Sequence, residues 1–281
     1  MSHFVVLVLG GTPETIDEYL EKTLEPYNEN TPVAPYWEEE ATNAQDHWAW
    51  SYTEEAVVPI ATMVEYAEFL NKRYSEDGYK YRVRDGVLQR QSTYNPESKW
   101  DWWVVGGRWS NMLMLKDGRH VDEAYIRDVD WVGMRAVARK KAEDDFDLMW
   151  NIIGKRTPLV AWKSFMAKYP NDIAKAREEY NAQETLKVLR SSNVAAPVFG
   201  CPVETYHLDA PNPRESFVEA SVNAIPWCYA VVKDGKWVTQ GSMGWWGMSK
   251  DDMTDDEWKA IVRKLIDDSP DEYVTVVDCH I

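Results

Sequence analysis

The chain has 281 residues, 44% of them hydrophobic, enough to bury a sizeable core as one elaborated domain or as a small domain carrying a large insertion. Its 47 acidic and 31 basic residues give a net charge of −16, which repels a nucleic-acid backbone or an anionic membrane and argues against non-specific nucleic-acid binding. Cys201, Cys228 and Cys279 form no CxxC, so neither a disulfide framework nor a zinc knuckle is indicated, and a reducing cytoplasm is expected.

Phe4-Val5-Val6-Leu7-Val8-Leu9 is a continuous apolar run ended by Gly10-Gly11, the pattern of a buried central strand. No basic region precedes it and no apolar run of about 20 residues exists, so neither a signal peptide nor a membrane span is expected. Thr12 and Pro13 suit a helix cap and first position, with Ile16, Tyr19, Leu20 and Leu24 following at helical spacing. Pro26, Pro32 and Pro35 mark a loop, and Glu38 to Glu40 a solvated acidic run. An aromatic cluster (His47, Trp48, Trp50, Tyr52) precedes a predicted helix from Ile60 to Tyr74. Tyr79 to Thr93 reads as a hairpin turning at Asp85-Gly86.

Next comes Tyr94-Asn95-Pro96-Glu97-Ser98-Lys99-Trp100-Asp101-Trp102-Trp103-Val104-Val105-Gly106-Gly107-Arg108-Trp109, more aromatic and more glycine-punctuated than a core strand requires. Its spacing predicts a loop to Lys99, a strand from Trp100 to Val105, a Gly-Gly break and a strand from Trp109 to Leu115, closed by Asp117-Gly118. Alanine, lysine and glutamate at helical spacing predict long helices over Trp131 to Trp150 and Ile173 to Leu189, with a shorter one over Leu159 to Tyr169. Residues 191–226, with five prolines, read as irregular connection with two short strands. A hairpin around Asp234-Gly235, a helix over Asp255 to Asp267 and a strand over Tyr273 to His280 complete the chain.

Strand, helix, insertion, strand, strand, helix, strand is the order of a ferredoxin-like split βαβ fold of the α+β class. Residues 1–25 and 227–281 would form its core and 26–226 a mixed insertion of helices and hairpins. First and last strands would then be antiparallel neighbours, bringing His3 near His280. Asp278 and His280 would share one face and Cys279 would take the other.

Two constellations carry chemistry. Residues 81–120 hold 7 basic and 4 acidic residues, whereas residues 1–80 are net −12, so the tryptophan stretch lies in a basic island. Indole faces of Trp100, Trp102 and Trp109, with the Gly244-Trp245-Trp246-Gly247 loop, would stack a flat ring. Asn95 is grouped with them, the N–H groups of Gly106 and Gly107 with the Arg108 guanidinium would hold a phosphate or carboxylate, and Lys99 would add charge. The competing expectation is that Trp100, Trp102 and Trp109 are core residues, that Gly106-Gly107 is a bulge and that the bases pair with acidic neighbours. His3, Asp278 and His280 are a candidate catalytic set, either an oriented general base or ligands for a metal whose identity stays open, with His47 or His207 as completing residues. They equally suit a structural pairing at a sheet edge. GxSxG, P-loop, HExxH and GxGxxG patterns are absent, so the common hydrolase, nucleotide-triphosphatase, zinc-protease and dinucleotide readings lack their usual support, and the cofactor stays open.

The phrases SHFVVLV, YNPESKWDWWVVGGRW, VDEAYIRDVDW, GSMGWWGM and TVVDCHI together resemble an uncharacterised protein family of tailed phages and some actinobacteria. The resemblance spans His3 to Ile281 and implies a phage or mobile-element setting, a role in the cytoplasm of an infected host, and no particular catalytic residue. Two functions follow from the residues. One is a pocket for a small anionic ring-containing ligand of nucleotide type, with an enzymatic role left open. The other is an acidic protein that blocks a basic, nucleic-acid-binding or defence factor of the host by presenting carboxylates in place of phosphates.

Overall fold

The computed structural model describes residues 3–40, 62–76, 78–192, 200–243 and 249–281. The His47 to Tyr52 cluster and the Trp245-Trp246 pair lie outside them. In chain order the described strands are β1 His3–Leu9, β2 Tyr36–Glu39, β3 Tyr81–Arg84, β4 Val87–Ser92, β5 Trp102–Val105, β6 Leu113–Met114, β7 His120–Val121, β8 Glu123–Tyr125, β9 Ala230–Lys233, β10 Lys236–Thr239, β11 Gly241–Met243, β12 Ser249–Asp251 and β13 Tyr273–His280. Helices and sheets are mixed throughout, which makes the chain α+β. No described helix is long and apolar enough to cross a membrane.

The chain divides into two compact units that do not follow the boundaries read from the sequence. One comprises residues 1–20 and 103–279, the other residues 21–102 with 280–281. The first unit is built on a sheet ordered β10-β9-β1-β13-β5, with β8 also pairing β13. β5 and β8, assigned by sequence to an insertion, are therefore strands of the main sheet. β1 runs parallel to β9, with Val6 opposite Ala230. It runs antiparallel to β13, because Gly10 N–H at its end donates to Tyr273 O at the start of β13 (2.8 Å) while His3 at its start meets Asp278 near the end of β13.

This order corrects the ferredoxin-like expectation. A ferredoxin-like sheet inserts the second hairpin strand between the two parallel ones, whereas here β9 bonds β1 directly and β10 lies outside it. Side-chain pattern explains the choice. Ala230, Val231 and Val232 are apolar on both faces and fully buried, as a central strand requires, while Lys236-Trp237-Val238-Thr239 begins and ends on polar residues and stays partly exposed, as an edge strand does.

One face of the sheet carries Val5, Leu7 and Leu9 of β1 beside Val274 and Val276 of β13, covered by Trp258, Val262 and Ile266 from the Asp255–Asp267 helix. That helix starts where the sequence says. Thr254 Oγ1 accepts from Glu257 N–H while the Glu257 carboxylate accepts from Thr254 N–H, a capping box. The predicted helix over Ile173 to Leu189 is two helices, Ile173–Ala182 and Glu184–Ser191. Gln183 breaks it, at ψ 121°, where its amide bonds both polar groups of the Val160 backbone and the Tyr180 carbonyl. Residues 200–226, expected to be irregular with short strands, instead form helices Pro202–Thr205 and Pro213–Asn223, each using proline in its first turn.

In the second unit β3 and β4 form the expected hairpin, Asp85 and Gly86 both at positive φ, with β2 on the far side of β4. Tyr66, Ala67 and Leu70 of the Met63–Arg73 helix pack there on Leu88.

Candidate functional site

The apolar row shared by β1 and β13 ends in a polar rung. Alternation along β1 places His3 on the face of Val5 and Leu7, and along β13 places Asp278 on the face of Val274 and Val276. Asp278 is 1% exposed, and a carboxylate so buried must be satisfied by the protein itself. His3 Nδ1 lies 2.9 Å from Asp278 Oδ1. Arg108 N–H donates to Asp278 Oδ2 at 3.0 Å. A carboxylate only accepts, so Nδ1 is the donor in this pair. This is how an aspartate orients a histidine for general-base work.

The Gly-Gly break exists to let the chain wrap these carboxylates. Gly106, at φ 69° and ψ −72°, makes a γ-turn that a side chain would strain, and its N–H donates to Val276 O at 2.9 Å. A Cβ on Gly106 would stand 2.5 Å from Asp122 Oδ2, and one on Gly107 2.4 Å from Asp278 Oδ2. The Gly106 N–H expected to receive an external phosphate is thus spent on a backbone carbonyl. The anion held by this loop is the protein's own Asp278, through Arg108 N–H, while Asp122 accepts from Asn111 N–H. The Arg108 side chain is exposed.

The same end of the sheet carries a cleft. β1 and β9 are parallel, so residues just before β9 lie beside the start of β1: Tyr229 N–H donates to Val5 O, and the Phe4 and Tyr229 rings meet edge to face at 5.0 Å. A cleft of about 180 Å³ opens there between Trp227, Tyr229, Gln240, Trp258 and Lys259. The Trp258 indole N–H donates to Cys228 O at 3.1 Å, fixing one wall. Trp227 is half exposed and tilts against Trp109, ring centres 5.9 Å apart. Burial pushes the Cys228 thiol well above its ordinary value, so it is no nucleophile.

The remaining candidates fall elsewhere. Asn95, 4% exposed, is a structural clamp rather than a ligand group, its amide donating to Pro26 O and Asn28 O and its oxygen accepting from Glu97 N–H. Trp100 is core, its indole N–H donating to Leu24 O at 3.2 Å. Trp102 is exposed and Lys99 half-buried, both in the second unit, whereas Gly106, Gly107, Arg108 and Trp109 belong to the first. His280 does not share Asp278 with His3. Its Nδ1 meets Asp101 Oδ1 at 2.6 Å, within the second unit. The three-residue set predicted from sequence is therefore two His–Asp pairs. Among the described residues no group of three or more His, Cys, Asp or Glu side chains is arranged to hold a metal.

The basic island is largely spent internally: Arg90 pairs with Glu38 and Glu40, Arg119 with Asp117, and Arg82 bonds Gln89 and stacks over Trp37. Sequence reasoning missed Asp101, Asp122, Trp227, Gln240 and Lys259. Asp101 alone carried a signal, as the single acid inside the KWDW phrase; the others are assembled only by the strand order. No family model matches the chain, and no curated protein or solved structure is significantly similar to it.

Proposed function

We propose that this sheet end binds a small anionic ligand carrying a flat ring, of the nucleotide class, with His3 and Asp278 as its acid–base pair. The observation that carries the proposal is the half-exposed Trp227, paired with Trp109 at the rim of a cleft on the same sheet end as an oriented imidazole. Sites for whole drug-sized ligands measure about 300–1,000 Å³. The cleft is about 180 Å³, room for one ring, which leaves the charged part of the ligand at the rim near Lys259. Lys259 forms only a loose ion pair with Asp255, at 4.0 Å. The phage setting that the sequence phrases suggest fits a host nucleotide or a nucleotide-derived signal as the ligand.

Titration of purified chain with a panel of mononucleotides, read by tryptophan fluorescence and calorimetry, tests this. Stacking on an aromatic face is worth about 1–3 kcal/mol, so Trp227→Ala is expected to weaken binding by roughly 5- to 150-fold. Lys259→Ala weakens it further at low salt. A folded Trp227→Ala protein that binds as tightly as the parent, or a parent that binds no nucleotide, overturns the proposal. The alternative, an acidic protein that occupies a basic host factor, rests on the net charge of −12 over residues 1–80.

A further inference from the structure

The Trp131–Ile153 helix buries one stripe, Ala142, Phe146, Met149 and Ile153, against the cluster of Leu189, Tyr206 and Phe217. Its flank is tied to the Pro213–Asn223 helix by Arg139 with Glu219 and Arg214 with Asp147. The opposite face is open, and at 100° per residue it contains Val137, Lys140, Lys141, Asp144 and Leu148, with Asp145 at its edge. Val137 is 61% and Leu148 51% exposed. A shallow apolar depression runs along this face between the charged side chains.

Reversed end for end, the order of residues on this face sets apolar on apolar and lysine on aspartate. Measured from the point between Ala142 and Glu143, Val137 is as far to one side as Leu148 is to the other. Lys140 likewise mirrors Asp145, and Lys141 mirrors Asp144. We propose that this face pairs with the same face of a second copy of the chain, the two helices antiparallel about a two-fold axis through that point. Each apolar residue then meets the partner's other one and each lysine an aspartate of the opposite copy. This is the self-complementarity that a two-fold contact demands. A parallel pairing would set lysine on lysine and aspartate on aspartate, which is repulsive. In the single chain Lys140 already pairs with Asp144 and Lys141 with Asp145, so the second copy extends each pair into an alternating four-charge cluster. Only two large apolar side chains per copy are covered, which places the contact at the small end of specific interfaces and makes the dimer weak and concentration-dependent.

Sedimentation velocity of the full chain over a wide concentration range is the test. The expected result is a rise from 32.6 kDa toward twice that mass. A double variant Val137→Glu/Leu148→Glu stays at the lower mass with an unchanged circular dichroism spectrum. Lys140→Glu/Lys141→Glu and Asp144→Lys/Asp145→Lys each lose at least ten-fold in self-association, and an equimolar mixture of the two recovers it. Val137→Cys with Leu148→Cys cross-links between copies, whereas Val137→Cys alone does not, because its two sulfurs would lie about 16 Å apart along the axis. A parent that stays at 32.6 kDa throughout, a dimer that survives Val137→Glu/Leu148→Glu, or a charge-swapped mixture that fails to associate refutes the proposal.

Discussion

Gly107→Ala tests the inward-facing loop directly, because two separate costs meet at that position. Gly107 sits at φ 54°, where an L side chain costs about 1 kcal/mol or slightly more. The added Cβ would also stand 2.4 Å from Asp278 Oδ2 and 2.5 Å from Asp278 Cβ. Asp278 cannot swing away, since its Cβ is fixed on an interior strand and Oδ1 is held by His3. Forcing a methyl group into such a contact costs about 1–3 kcal/mol, for a total of roughly 2–4 kcal/mol. Gly118→Ala is the matched control, with φ 86° and nothing within 4 Å of the new Cβ, so it carries only the backbone cost of about 1 kcal/mol. Thermal and urea unfolding of both variants isolate the contact with Asp278. At about 2–4 °C per kcal/mol for a chain of this size, Gly107→Ala is expected to melt roughly 2–12 °C below Gly118→Ala. Two variants within about 0.5 kcal/mol of each other would show that the loop does not close on Asp278, and the orientation of His3 argued from it would fall too.

Asn95→Ala leaves Pro26 O and Asn28 O without their donor and Glu97 N–H without its acceptor. It is expected to lower stability by about 2–4 kcal/mol in urea titration with no change in ligand affinity. Trp100→Phe removes the buried bond to Leu24 O and is expected to cost about 1–3 kcal/mol by the same measurement. Burial first, then the negative charges of Asp17 and Asp122, raise the Glu123 carboxyl above the ordinary carboxylate range, and its Oε2 has no hydrogen-bond partner among the described residues. A raised carboxylate contributes stability only below its unfolded value and loses it as pH climbs through the folded one. Glu123→Gln is therefore expected to be more stable than the parent at about pH 7, the gap closing toward about pH 4, and equal pH profiles for the two proteins would refute this.

Elements whose chemistry is local were legible in the sequence. The strand Tyr273–His280, the helix Asp255–Asp267 and the Asp85-Gly86 and Asp234-Gly235 turns follow from β-branched runs, a Thr-x-x-Glu cap and residues that tolerate positive φ. What failed was tertiary. The Ile173 to Leu189 periodicity runs without interruption, and only Gln183 bonding across to Val160 breaks it. The tryptophan stretch likewise mixes opposite fates within three residues, since Trp100 finds a carbonyl at Leu24 while β5 turns Trp102 outward at a sheet edge. The Gly-Gly turn does offer a backbone N–H to an anion, that of Arg108 rather than of either glycine. Which anion is a question of topology, and here β13 delivers Asp278 to the spot before any ligand arrives.

The strand order has a chemical consequence of its own. Had β10 lain between β1 and β9, as a ferredoxin-like order requires, the segment leading into β9 would stand one strand spacing, about 4.8 Å, farther from His3. Direct pairing of β1 with β9 instead sets Tyr229 against Val5 and Phe4, so the Trp227 cleft and the His3–Asp278 pair open on neighbouring strand ends. β1 can accept that neighbour because Phe4 to Leu9 is apolar on both faces and buried throughout, and β9 because Ala230 to Val232 is the same. The apolar doublet of strands that makes the core thus also decides which loop borders the start of β1. A polar residue at Val231 or Val232, both fully buried, is therefore expected to cost about 1–3 kcal/mol and to loosen the strand pair on which the cleft is built.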